Sequence, residues 1–127
     1  MESQQRQTLL LVDDEEIIRE VGSKMLERMG YAVLTASSGA EALACYQEHR
    51  ERIALVILDL ILPDMSGGDA FDRIRELRAG AKVLLSSGYS ADGEAADILK
   101  RGCDGFIQKP FNMEALSAAI RELLPPA

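Results

Sequence analysis

Five short apolar runs alternate with five amphipathic segments along this chain, and no two runs of one kind are adjacent. That alternation constrains the fold more than any single motif, because strands separated by helices pair in parallel and place helices on both faces of the sheet. The apolar runs are Thr8–Val12, Tyr31–Thr35, Ile53–Leu58, Lys82–Ser86 and Gly105–Gln108. The helical segments are Glu15–Met29, Ser38–His49, Gly67–Arg78, Ala91–Arg101 and Asn112–Leu124. Ile53–Leu58 shows no polar alternation, as suits a central strand covered on both faces. Right-handed crossovers limit the winding, and closure into a barrel would take eight units. The reading is therefore an open, doubly wound α/β sheet. With 127 residues there is room for one such domain, placed at 8–124 with flexible ends at 1–7 and 125–127. Pro125-Pro126 reads as a stop or the start of a linker.

Helical spacing assigns a buried stripe to Ile18, Val21, Met25 and Met29, and another to Ala40, Leu43 and Ala44. Phe71, Ile74 and Leu77/Arg78 form a third, and Leu116, Ile120, Leu123 and Leu124 a fourth. Gly30, Gly80 and Gly102 follow basic residues (Arg28, Arg78, Lys100 and Arg101) that complement the negative helix end.

Composition matters mainly for what it excludes. The net charge is −7 with no Lys/Arg block, which argues against nucleic acid as a direct ligand. The longest purely apolar run has six residues, far short of a membrane span. The polar stretch from Met1 to Gln7 has no signal-peptide core. Cys45 and Cys103 lack metal-site spacing and read as buried free thiols in a reducing cytoplasm.

In open sheets of this kind, ligands bind beyond the carboxyl ends of the strands. Asp13 and Asp14 follow the first strand and Asp59 the third. Ser86, Ser87 and Gly88 follow the fourth, and Lys109-Pro110 the fifth. Each has a bland explanation as a cap, a turn or a solvated charge, but that explanation must hold at every strand end at once. Two carboxylates about 5 Å apart repel by roughly 3 kcal/mol at an effective dielectric near 20, and a divalent cation relieves that. Hard oxygen donors favour Mg²⁺. A carboxylate so held can attack a phosphoryl group, with a hydroxyl and an ammonium supplying the remaining contacts.

These residues also resemble a known family. Leu10-Leu11-Val12-Asp13-Asp14-Glu15 is similar to the opening motif of response-regulator receiver domains, and Val56–Asp59 with Pro63, Met65 and Gly67 to their phosphoacceptor strand and loop. Leu84–Gly88 resembles the switch-hydroxyl strand, and Gly102–Phe111 the closing signature. The resemblance covers Thr8 to Leu124. It implies a flavodoxin-like (βα)5 sheet of order 2-1-3-4-5. It implies phosphorylation of Asp59 by a histidine kinase or histidine phosphotransfer domain, and Mg²⁺ held by Asp13, Asp14, Asp59 and the carbonyl of Ile61. Ser87 and Lys109 would bind the phosphoryl group, Phe106 would turn inward on activation, and the Lys109–Pro110 bond would be cis. An unknown output partner would dock on the face of the fourth helix, fifth strand and fifth helix, and a phosphorylation-driven homodimer through the fourth and fifth helices is compatible with it. The Ser86–Tyr89 stretch resembles receivers attached to hybrid sensor kinases. Such a chain is a switch rather than a true enzyme, and it meets no membrane directly.

Several positions depart from the usual pattern. Ser87 stands where threonine is commoner, Gly88 where alanine is, and Phe106 where tyrosine is. Ile61 offers no polar group to orient an attacking water, and Tyr89 is bulky enough to screen the site, so a long-lived acyl phosphate is expected. A flavin carrier would need a phosphate-binding loop where Asp13-Asp14-Glu15-Glu16 stands. A phosphohydrolase would want an acid at Ile61. A pseudo-receiver, folded alike but never phosphorylated, usually lacks one of the residues present here.

Overall fold

In the computed structural model, which describes residues 6–89 and 92–124, five parallel strands form one sheet of order β2-β1-β3-β4-β5. The strands are β1 (Thr8–Val12), β2 (Ala32–Ala36), β3 (Ile53–Asp59), β4 (Val83–Ser87) and β5 (Gly105–Gln108). The helices are α1 (Glu16–Arg28), α2 (Gly39–His49), α3 (Gly67–Leu77), α4 (Glu94–Lys100) and α5 (Met113–Leu123). The expected flexible ends, apart from Arg6 and Gln7, and the expected helix start at Ala91 lie outside the described residues.

Alternation along each central strand splits the core in two. Leu10, Val12, Val56, Leu58, Val83 and Leu85 point to one face, where Tyr46 of α2, Phe71 and Ile74 of α3 and Ile98 of α4 cover them. Leu9, Leu11, Leu55, Ile57 and Leu84 point to the other, under Leu26 of α1 and Leu116 and Ile120 of α5. This is why Leu9–Val12 and Ile53–Leu58 read as unbroken apolar runs: neither face meets water.

Two helical stripes differ from the expected ones. Val21 is 44% exposed, and the buried positions of α1 are Gly22 and Leu26. The backbone of α1 comes so close to β1 that a Cβ at Gly22 would lie 2.8 Å from Leu11, and this rotates the buried face. In α2 Ala40 and Ala44 are exposed, while Ala42 and Tyr46 are buried. The single large side chain, Tyr46, sets that phase, and small alanines do not. Boundaries moved as well. Arg78 is extended rather than helical and donates to the carbonyl of Arg50 at 2.7 Å. β4 starts one residue later than expected and includes Ser87, because Ser86 pairs with Asp59 and Ser87 with Gln108. Gly30 and Gly102 have φ of 100° and 107°, the left-handed caps that only glycine adopts without cost. Cys103 is buried and Cys45 half-buried, both as free thiols.

Candidate functional site

Sheet register builds the rim. Val12 of β1 pairs with Leu58 of β3, so the next residues, Asp13 and Asp59, emerge side by side. Ser86 opposite Asp59 and Ser87 opposite Gln108 bring the ends of β4 and β5 to the same edge. The main chain stitches these ends together: the Leu60 N–H donates to the carbonyl of Ser86 at 2.8 Å, and that of Lys109 to Ser87 at 2.7 Å. The Lys109–Pro110 bond is cis.

Asp13 and Asp59 are buried, Asp14 is exposed, and one carboxylate oxygen from each lies within 4.8 Å of the others. Lys109 reaches between the two buried acids, its Nζ 3.0 Å from Asp13 Oδ2 and 3.3 Å from Asp59 Oδ1. Asp13 is held further by the Glu15 N–H, which donates to its Oδ1 at 2.9 Å, and by Arg19, whose Nη1 donates to its carbonyl at 2.8 Å. Neither support was anticipated from the sequence. The Glu15 contact is a local turn that an aspartate two residues upstream could have signalled. The Arg19 contact needs the first turn of α1 in place.

Burial, and then the Asp13 charge, push the Asp59 carboxyl up to about 6 despite Lys109. For Lys109 burial pulls the other way, but the hydrogen bond to Asp13 and the charges of Asp59 and Asp13 outweigh it and raise its pKa. Three carboxylates thus cluster beside one ammonium, and at Asp59 burial together with the Asp13 charge outweighs Lys109. A hard divalent cation suits this set of oxygen donors.

An open cleft of about 610 Å³ borders the acids, lined among others by Ile61, Ser87, Tyr89 and Lys109. Ser87 is buried at its edge, its Oγ accepting the Tyr89 N–H at 3.0 Å. Ile61 and Tyr89 stand at the mouth, 57% and 68% exposed. Phe106 is half-buried on β5 and packs against the α2–α3–α4 side of the core. The structure thus gathers Asp13, Asp14, Asp59, Ser87, Lys109 and Ile61 at one cleft and leaves Phe106 behind it. Asp64, beyond them in the β3–α3 loop, grips the start of α2; nothing near it in the sequence marks that contact.

Residues 9–121 match the family described as the response regulator receiver domain. The chain is similar to the sensor kinase CckA of Brucella abortus, with 33% identity over 117 residues and 92% of this chain covered, but it spans only 12% of that protein. It is 32% identical to the chemotaxis protein CheY of Halobacterium salinarum, covering 91% of this chain and 95% of the relative. Among solved structures, CheY4 of Vibrio cholerae superposes with a TM-score of 0.87 at 31% identity, covering 94% of this chain and all (100%) of the other. A five-stranded parallel sheet of this order, with its acids at the strand ends and a sequence match over nearly the whole chain, places the protein in the response regulator receiver domain family.

Proposed function

We propose that this receiver takes a phosphoryl group on Asp59 from a phosphohistidine, carried by a histidine kinase or a histidine phosphotransfer domain, and passes the signal on by changing conformation. The observation that carries the reading is the buried Asp59 set against Asp13, Asp14 and Lys109. An Asp59 carboxylate oxygen attacks phosphorus. The new O–P bond forms as the N–P bond of the phosphohistidine breaks, and the electron pair returns to the imidazole nitrogen, which regains a proton. A carboxylate with a pKa of about 6 is ionised at neutral pH yet poorly solvated, which favours it as a nucleophile. Lys109 stays charged and meets the added phosphoryl oxygens. Asp13, Asp14, Asp59 and the Ile61 carbonyl would hold Mg²⁺, which when bound neutralises charge on the phosphoryl group.

Ser87 then exchanges its contact with the Tyr89 amide for one with the phosphoryl group, and Phe106 moves inward. Contacts available in only one arrangement shift the population toward it. The output surface is α4–β5–α5, facing a partner protein or a second copy of the chain. The match to the sensor kinase CckA, of which this chain spans 12%, supports service as one part of a longer sensor kinase. Ile61 and Tyr89 at the cleft mouth support a slow loss of the phosphoryl group by hydrolysis. Intact mass after incubation with acetyl phosphate and Mg²⁺ tests the assignment: wild type gains one phosphoryl group and Asp59→Asn gains none. No gain in folded, Mg²⁺-replete wild type, with a histidine donor as well, would make the chain a pseudo-receiver. A half-life of seconds, unchanged in Tyr89→Ala, would remove Tyr89 from the account of lifetime.

A further inference from the structure

We infer that Asp64 is a positioning residue for the Asp59 site, tying the loop that carries Ile61 to the first turn of α2. The inference rests on the reading of Asp59 and its neighbours as a Mg²⁺-dependent phosphoacceptor. Asp64 Oδ1 accepts the Gly39 N–H at 2.8 Å and Oδ2 accepts the Ala40 N–H at 2.9 Å. These are two of the four helix-start amides that lack an intrahelical partner. Ser38, the helix's own cap, serves the Glu41 amide at 3.2 Å. The first turn of α2 is thus capped jointly, one amide by its own Ser38 and two by a loop 24 or 25 positions away.

The loop runs from the end of β3 to the start of α3, and its base is fixed. The Gly67 N–H donates to the Leu60 carbonyl at 2.7 Å, and Ile61 bridges to Ser66. A Cβ at Gly67 would lie 2.8 Å from Leu60 backbone atoms, so the two ends of the loop touch. Ile61 is held through its backbone, by the bridge to Ser66, while its side chain is 57% exposed and adds no packing. The part of the loop beyond it needs an anchor of its own. There Met65 packs so tightly on α2 that a Cβ at Gly39 would meet it at 2.4–2.7 Å, and Asp64 supplies the polar half of the same junction. A cap that served α2 alone would not have to come from this loop.

The test is calorimetric titration of Mg²⁺ into the metal-free 127-residue chain, for wild type, Asp64→Ala, Asp64→Asn and Ser38→Ala. Asp64→Ala should weaken Mg²⁺ binding about tenfold, the low end of what losing a support behind a metal donor costs. Asp64→Asn, which keeps one accepting oxygen, should fall between it and wild type. Ser38→Ala removes the other cap of the same helix and should leave the affinity within about twofold, since a helix cap alone is a stability term. Because coupling is reciprocal, Mg²⁺ should also slow hydrogen exchange at the Gly39 and Ala40 amides of wild type. Unchanged affinity in Asp64→Ala, an equal loss in Ser38→Ala, or no effect of Mg²⁺ on those amides each overturns the positioning role. Wild type that binds no Mg²⁺ at all overturns the reading of the site instead, and the inference with it.

Discussion

The loops after β3 and β4 flank the same cleft but are built in opposite ways. The β3 loop is tied at its base by Leu60–Gly67 and Ile61–Ser66, ends in a Ser66 cap on α3, and is clamped to α2 by Asp64. Among the described residues after β4, the Tyr89 amide rests on Ser87, Gly88 has open space where a side chain would stand, and α4 starts without a side-chain cap. α2, α3 and α5 each have such a cap, from Ser38, Ser66 and Asn112. The acids and Lys109 belong with the tied half, and Ser87 opens the loose one. Under the proposed function, a site that holds a phosphoryl group in fixed geometry and also reports its arrival needs both: rigidity around Asp59, and a low cost of rearrangement around Ser87.

The largest effect should come from breaking the tied half at the ammonium that bridges its two buried acids. Lys109→Met leaves two buried carboxylates facing each other without the ammonium 3.0 and 3.3 Å away. Removing one partner of a buried charge cluster costs about 3 kcal/mol or more, so urea unfolding in metal-free buffer at neutral pH should show a loss of that order. Mg²⁺ should recover much of it. A loss under about 0.5 kcal/mol, the range of ordinary surface changes, would mean that the acids are solvated and the tied half is looser than its distances suggest.

Asp59→Asn should act in the other direction. The Asp59 carboxyl has its pKa raised from 3.8 to about 6. The folded chain therefore keeps this proton to higher pH than the unfolded chain does. The stability it contributes is fully present below about pH 4 and is lost as pH rises through about 6. Above that pH the ionised, buried acid costs on the order of 2–3 kcal/mol in the absence of metal. Asp59→Asn removes this dependence, so in metal-free buffer the variant should overtake wild type in stability as pH rises from about 4 to 7. Added Mg²⁺ should stabilise wild type more than the variant; at ten times its Kd the gain is about 1.4 kcal/mol. A flat difference between the two proteins across that pH range would show that burial does not perturb Asp59.

The two halves were also unequally legible in the sequence. Strand β3 declared itself because burial on both faces leaves Ile53–Leu58 without a polar position, and strand ends on an open sheet must converge, which put Asp13, Asp14, Asp59, Ser86, Ser87 and Lys109 on one rim; the choice of Ser87 over Ser86 came only from the family resemblance. The phases of α1 and α2 did not declare themselves, because Val21 against Gly22, or Ala40 and Ala44 against Ala42, differ too little in apolar character for spacing to choose. Close backbone approach at Gly22 and the bulk of Tyr46 chose instead. The clamp by Asp64 was invisible for another reason. Pro63-Asp64 reads locally as a turn, and its partners 24 and 25 residues away become neighbours only after the sheet has formed.

The smallest effect gives the most direct comparison, because one substitution can be made in both loops. At Gly67 a methyl group would meet Leu60 backbone atoms at 2.8 Å, which cannot move aside without shifting the end of β3. Gly67→Ala should therefore cost about 1–3 kcal/mol, as overpacking does. Gly88 has nothing within 4 Å of the same position, and its φ is not in the left-handed region. Gly88→Ala should stabilise the protein by about 0.4–1 kcal/mol, by restricting the unfolded chain. The gain in stability should come with a slower response, because the same restriction stiffens the backbone beside Ser87. Chemical denaturation of the two variants reads the first contrast, and relaxation-dispersion NMR on the β4 end reads the second. If Gly88→Ala destabilises as much as Gly67→Ala, the space beside Gly88 is not open in solution and the two loops are equally constrained. If it stabilises without slowing exchange at Ser87, the backbone at Gly88 does not limit the rearrangement of Ser87.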